Sequence, residues 1–128
     1  MAIHNDVGKI GEEISVEFLR DKGLQIVERN FRRSYGEIDI VARETGGMLV
    51  FVEVKTVSWE TDKPVPYETH RPEDNVHPQK LRRLANAIQA YLLLHENEND
   101  WRFDVMAVYL DTSSKTAKIR HIKDVVIG

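Results

Sequence analysis

Residues 36–55, GEIDIVARETGGMLVFVEVK, have the pattern of two β-strands joined by a turn that contains two glycines. Side chains alternate between the two faces of a strand, so each strand is expected to have one wholly apolar face. On the first strand, Ile38 and Ile40 are expected to share that face. The opposite face of the pair changes from apolar near the turn to charged further away. Its charged residues are Glu37, Asp39, Glu53 and Lys55.

The length of the turn determines whether these charged residues meet. A three-residue loop, Thr45-Gly46-Gly47, would place Asp39 opposite Glu53 and Glu37 opposite Lys55 on the same face. A four-residue loop would shift the pairing by one residue and send the two acids to opposite faces. Three-residue hairpin loops usually need a glycine in the left-handed region, and this stretch has two. We therefore predict the three-residue loop and the register that brings Asp39 to Glu53.

Two carboxylates held opposite each other repel, and a cation between them would relieve that repulsion. Magnesium and manganese are suited to the position because these hard ions take one or two carboxylates together with waters and phosphate oxygens. Lys55 could then orient a water or stabilise charge on a phosphate. The alternative is an ordinary Glu37–Lys55 ion pair, with Asp39 and Glu53 as solvated residues on an exposed sheet face.

The remainder of the chain reads as helices and strands around this hairpin. Apolar residues recur at helical spacing in two segments and alternate or cluster in three others. Gly23 follows the first helical segment, where a left-handed residue commonly ends a helix. The predicted elements are a helix at 7–22, a strand at 25–31, the two quoted strands, a loop at 56–78, a helix at 79–95, and strands at 101–110 and 116–127. The loop exceeds the usual length for compact domains and is typical of functional or mobile segments.

Bulk composition restricts the class of protein. The chain of 128 residues is 41% hydrophobic and 30% charged, which is typical of one globular domain, so residues 1–128 are read as a single domain. The absence of cysteine excludes disulfides, thiolate zinc sites and cysteine nucleophiles. The N-terminus lacks a signal-peptide pattern and no apolar run is long enough to span a membrane, so we expect a cytoplasmic protein.

Several short motifs resemble those of a known nuclease family. The residues G-E-I-D-I-V-A at 36–42 and F-V-E-V-K at 51–55 resemble the motif written PD-(D/E)XK. Further matches are G-K-I-G-E at 8–12, E-R-N-F at 28–31 and R-F-D-V at 102–105. Taken in order, they make the chain similar to the YraN-like family, which is related to archaeal Holliday junction resolvases.

This resemblance implies a restriction-endonuclease-like α/β core. Its five-stranded mixed sheet would be flanked by helices in the order α-β-β-β-α-β-β. It also implies Mg²⁺- or Mn²⁺-dependent cleavage of nucleic acid. Asp39 and Glu53 match the metal-binding acids, Lys55 the catalytic lysine, and the backbone carbonyl of Val54 a further metal ligand. Glu12 matches an acid that approaches the metal from the first helix; the alternative is an exposed helix acid.

Other residues have weaker assignments. Glu37 could orient Lys55 or a water, or could form a simple ion pair. Lys80 matches a family lysine and could contact a phosphate. Arg32 and Arg33 could bind a nucleic-acid backbone, or could be solvated residues of a turn.

The resemblance implies nucleic acid, with DNA favoured, as the partner, and a homodimer as one assembly. The leading interpretation is a metal-dependent endonuclease that hydrolyses phosphodiester bonds, with branched or structured DNA as a candidate substrate. The alternative is a non-catalytic module that binds nucleic acid or protein on the same fold. Val57 departs from the pattern, because relatives commonly have a basic residue at this position.

Overall fold

Over its described residues, the chain forms two helices and five strands in the predicted order. The computed structural model describes residues 3–59 and 78–127. The helices are α1 Ile3–Asp21 and α2 Pro78–Leu94, and the strands are β1 Gln25–Arg33, β2 Gly36–Arg43, β3 Leu49–Trp59, β4 Trp101–Asp111 and β5 Thr116–Ile122. The predicted α-β-β-β-α-β-β order is confirmed.

The five strands form one mixed sheet in the order β1-β2-β3-β4-β5. The β3–β4 pair is parallel, and the other three neighbouring pairs are antiparallel. A parallel pair needs a long crossover connection, and α2 lies in that connection. The mixed sheet with two helices agrees with the predicted restriction-endonuclease-like core.

The first four residues of the predicted loop at 56–78 belong to strand β3 instead. Strand β3 continues through Trp59 because every residue from Leu49 onward pairs with β4 in the parallel register. Val57 is therefore a strand residue opposite Tyr109. The rest of the predicted loop, residues 60–77, lies outside the described residues.

Each face of the sheet is covered by one helix. Val16 and Leu19 of α1 pack with Val50 and Val52 in one buried cluster. The other cluster lies under α2, and its members include Phe31, Val41, Phe51, Leu84, Ile88 and Tyr91. A strand covered on both faces can be apolar throughout, as β3 is over its first four residues, 49–52.

The β2–β3 hairpin has the predicted three-residue loop. The Glu44 N–H donates to the Met48 carbonyl at 2.9 Å, and the Gly47 N–H donates to the Glu44 carbonyl at 2.9 Å. Gly47 supplies the left-handed residue, with φ of 99°. The pairing from Arg43–Leu49 to Ile40–Val52 follows the predicted register.

The predicted alternation fails at one position of β2. Ile40 packs on the α1 side of the sheet, but Ile38 packs with Val41 on the α2 side. Regular alternation would have kept Ile38 with Ile40, so the strand changes face at Asp39. On β1, Asn30 lies between the paired residues Arg29 and Phe31 and has a φ of 55°, a left-handed value that asparagine tolerates. The break in β2 at Asp39 therefore lies opposite the left-handed Asn30 of β1.

Candidate active site

The two predicted acids lie where β2 and β3 begin to separate. The last paired residues of this hairpin are Ile40 and Val52, and Asp39 and Glu53 follow them directly. Asp39 Oδ2 accepts a hydrogen bond from the Val54 N–H at 2.8 Å. The prediction that Asp39 and Glu53 come together is confirmed.

The environment of Asp39 disfavours its charged form. Burial and the negative charge of Glu53 raise the pKa of Asp39 to about 7. The hydrogen bond from the Val54 N–H and the positive charge of Lys80 act in the opposite direction without cancelling the rise. The acid pair is therefore incompletely neutralised in the described structure.

Lys80 of α2 forms an ion pair with one of the acids. Its Nζ lies 2.5 Å from Glu53 Oε1, and the Glu53 side chain is only 5% exposed. Burial by itself would lower the pKa of Lys80, but the hydrogen bond to Glu53 and the nearby carboxylates raise it. The sequence predicted Lys80 as a phosphate contact and did not anticipate its contact with Glu53.

Close packing of α1 against β3 positions Glu12. A Cβ atom on Gly11 would lie 1.8 Å from Thr56 Oγ1, so only glycine permits this approach without a shift. Glu12 Oε1 accepts hydrogen bonds from Arg29 Nη2 at 3.2 Å and from Asn30 Nδ2 at 3.0 Å. Glu12 is thus a half-buried, partnered residue and not an exposed helix acid.

A cleft of about 520 Å³ brings most of the predicted residues together. Its lining includes Glu12, Arg32, Asp39, Val54, Lys55 and Lys80. A neighbouring pocket of about 440 Å³ is lined by Glu37, Glu53 and Arg83, among others, and Lys80 lines it as well. The acid pair therefore lies between two openings with Lys80 at both.

The predicted Glu37–Lys55 ion pair is wrong. Glu37 Oε2 lies 3.3 Å from Arg32 Nη1, its direct neighbour on β1. The physical reason is that the recorded pairing of β2 with β3 ends at Ile40–Val52, whereas the pairing of β2 with β1 continues to Gly36. Lys55 instead lines the cleft.

The two arginines predicted to bind nucleic acid differ in their contacts. Arg32 pairs with Glu37 and also donates to Asn30 Oδ1 at 3.1 Å. Arg33 lies over the ring of Phe31, with 4.1 Å from its guanidinium carbon to the ring centroid. Arg32 lines the cleft beside Asp39, so it is the better placed of the two to meet a ligand there.

The donor set fits a magnesium-type ion. Within residues 3–59 and 78–127, no group of three or more His, Asp or Glu side chains could hold a metal ion. Magnesium usually needs fewer protein ligands, because it keeps several waters and binds one or two carboxylates. Asp39 and Glu53 meet that requirement, and the raised pKa of Asp39 indicates that the pair lacks positive charge.

A second polar cluster lies on β4 and β5. Asp104 is fully buried and accepts a hydrogen bond from Arg102 Nε at 3.0 Å. His121 Nε2 lies 2.7 Å from the other Asp104 oxygen. The His121 side chain is only 9% exposed. No sequence spacing links Asp104 to His121, because the antiparallel β4–β5 pairing brings them together.

Comparison with known sequences identifies the family. The sequence profile of the uncharacterised protein family UPF0102 matches residues 11–108, which include the acid pair together with Glu12 and Lys80. The chain belongs to the UPF0102 family. This result confirms the family resemblance inferred from the sequence motifs.

Several UPF0102 proteins are similar over nearly the whole chain. A relative from Flavobacterium psychrophilum is 41% identical over 124 residues, covering 97% of this chain and 96% of its own length. Relatives from Christiangramia forsetii and Bacteroides fragilis are 38% and 39% identical, covering 97% of this chain and 96% and 94% of their own lengths. The names of these relatives state no activity.

Among solved structures, this UPF0102 chain matches Pyrococcus furiosus SfsA in complex with Ca²⁺. The TM-score is 0.39 and the identity is 14%, with 94% of this chain and 63% of the SfsA chain covered. The chain thus spans less than two thirds of the SfsA length. Among the described residues, neither helix has the length and apolar character needed to cross a membrane.

Proposed function

We propose that this UPF0102 protein is a Mg²⁺- or Mn²⁺-dependent endonuclease that hydrolyses phosphodiester bonds in nucleic acid. The observation that supports this most strongly is the acid pair of Asp39 and Glu53 between two openings, with Glu53 buried and Lys55 lining the same cleft as Asp39. Perturbed carboxyl groups in a cleft are typical of functional sites, because burial of unneeded charge is unfavourable. A sheet has no structural need for such a pair.

The residues divide into metal-holding and substrate-directed groups. Asp39 and Glu53, with the backbone carbonyl of Val54, would hold the ion. When bound, the ion supplies positive charge that stabilises the phosphate in the transition state. Asp39 is kept in place by the Val54 N–H, so its orientation does not depend on a flexible partner. The strands thus fix the carboxylates before any ligand arrives.

Lys55 and Glu12 act on the reacting atoms in this proposal. Lys55 lines the same cleft as Asp39 and carries a positive charge that would orient the attacking water or stabilise the phosphate oxygens. Glu12 approaches from α1, and its contacts with Arg29 and Asn30 hold the carboxylate in one orientation. Glu12 would accept a hydrogen bond from the water. The contact of Glu37 with Arg32 favours a supporting role for Glu37 at the cleft edge.

The partner proposed for this site is nucleic acid, with DNA favoured and branched or structured DNA as the first substrate to test. Arg32 and Lys80 line the cleft and would contact phosphates. Arg33 would contact phosphates outside the cleft. The cytoplasm is the proposed compartment, and a homodimer is the proposed assembly.

The test is cleavage of a four-way DNA junction and of its linear arms by purified protein with Mn²⁺. We expect metal-dependent products from the parent, none after addition of EDTA, and none from Glu53→Ala. The matched control is Glu17→Gln, which changes an α1 acid whose side chain is 69% exposed and should cleave like the parent. Cleavage that persists in EDTA would refute the mechanism.

The alternative function is a non-catalytic binding module on the same fold. The ion pair between Lys80 and Glu53 favours this reading in one respect, because it partly neutralises the acids without a metal. The two functions differ in calorimetry. An endonuclease should bind Mn²⁺ with loss of binding in Glu53→Ala, whereas DNA binding without Mn²⁺ binding or cleavage would support the module.

A further inference from the structure

Lys80 occupies the position between the acid pair and solvent. Its Nζ contacts Glu53 Oε1 at 2.5 Å, and its charge acts on Asp39 as well. It lines both the cleft that contains Asp39 and the pocket that contains Glu53. A cation that binds Glu53 Oε1 together with Asp39 would therefore take the place of Lys80 at Glu53.

One lysine does not balance the two acids. A single ammonium group offsets one of two negative charges, and its four-carbon stem makes the contact flexible. A divalent ion offsets both charges and accepts oxygen ligands from both side chains at once.

The fold allows Lys80 to leave without rearrangement of the sheet. Its side chain is 48% exposed and it is the third residue of α2, whereas Glu53 lies in the centre of β3 with 5% exposure. Rotation of the lysine side chain alone would open the Glu53 oxygen. The released ammonium group would still reach the mouth of the cleft, where the proposed function places a phosphate.

We propose that Lys80 is an internal counter-ion that holds the acid pair in the metal-free protein and is displaced from Glu53 by a divalent ion. The proposal rests on the proposed metal-dependent function and adds to it an exchange of one cation for another. Lys80 is thus a positioning residue for the two carboxylates, and it acts before any phosphate is bound.

The test compares Mn²⁺ binding and thermal stability in the parent, Lys80→Met and Arg82→Met. Arg82 is an exposed residue of the same helix, so its substitution removes the same charge without touching Glu53. By calorimetry, Lys80→Met should bind Mn²⁺ about 5- to 10-fold more tightly than the parent, because the ion no longer competes with a partly exposed ion pair. Arg82→Met should bind like the parent.

Thermal unfolding supplies the second measurement. Lys80→Met should unfold at a lower temperature than the parent in EDTA, because two acids then lack their cation. Saturating Mn²⁺ should raise its unfolding temperature by more than it raises that of the parent. If Lys80→Met does not fold, Lys80→Gln keeps a hydrogen-bond donor for Glu53 and should show the same direction of change in Mn²⁺ affinity.

The outcomes separate this inference from the proposed function. Equal or weaker Mn²⁺ binding by both Lys80 variants, with clear binding by the parent, would overturn the counter-ion role and leave the metal-dependent function standing. Absence of Mn²⁺ binding in every variant would overturn both. Tighter binding by the Lys80 variants alone would support the exchange.

Discussion

Replacement of Asp39 by asparagine is expected to stabilise the metal-free protein at neutral pH. In the folded protein, burial and Glu53 raise the pKa of Asp39 to about 7, against about 3.9 in an unfolded chain. Between these two values the folded state retains a proton that the unfolded state has lost. The free energy of unfolding of the parent should therefore fall as the pH rises from about 4 to about 7.

The magnitude follows from the size of the pKa rise. About three pKa units at about 1.4 kcal/mol each give an upper limit of about 4 kcal/mol. The side chain lines an open cleft and is partly solvated, so about 2 kcal/mol is the expected gain at pH 8. At pH 4 the aspartate is already neutral, and the gain should approach zero. Asparagine retains an oxygen to accept the hydrogen bond from the Val54 N–H.

Urea unfolding in EDTA, followed by far-ultraviolet circular dichroism at pH 4, 6 and 8, measures this difference. Glu37→Gln is the matched control, since Glu37 is an exposed acid paired with Arg32 and its loss should change stability by less than about 0.5 kcal/mol at each pH. A destabilised Asp39→Asn at pH 8, or a gain that does not vary with pH, would refute the reasoning. Asp39 would then be a structural acceptor for Val54.

Three further predictions concern other parts of the molecule. Lys55→Met should slow DNA cleavage by about 10²- to 10³-fold in single-turnover assays while calorimetry finds unchanged Mn²⁺ affinity, and equal loss of both would contradict its catalytic role. Asp104→Ala should lower the free energy of unfolding by about 3–5 kcal/mol, because it leaves Arg102 without its buried partner; a loss under about 1 kcal/mol would contradict this. Gly11→Ala should lower the free energy of unfolding by about 1–3 kcal/mol, because the added methyl group clashes with Thr56. In a double-mutant cycle, Thr56→Ala should recover part of that loss, and strictly additive effects would argue against the contact.

Asp104, in the cluster with Arg102 and His121, gives the free energy of unfolding a second pH dependence. Its sign is opposite to that of the dependence due to Asp39. Burial alone would raise the pKa of Asp104, but His121, Arg102 and the Asp124 N–H together hold it below its usual value. The stability that this cluster contributes is present above about pH 4 and is lost as the pH falls through the lowered pKa. Its effect therefore lies at lower pH than that of Asp39.

The sequence was sufficient wherever a short-range rule applied. The glycines of the Thr45-Gly46-Gly47 loop and the alternation of β3 determined the hairpin register, and with it the meeting of Asp39 and Glu53. Gly23, with φ of 91°, ends α1 as its position predicted. These features depend on backbone geometry within a few residues, which is why the local sequence specifies them.

Only the tertiary structure decided which cation meets the acids. Lys55 is the cation nearest to Glu53 in sequence, but Glu53 pairs with Lys80 from α2, and Glu37 pairs with Arg32 on β1. The break in alternation at Asp39 lies opposite Asn30 of β1, which takes a left-handed conformation. Ion pairs form between charges that packing brings within a few ångströms. That proximity is set by how α2 lies on the sheet and by where each pair of strands ends, and no spacing within residues 36–55 encodes either.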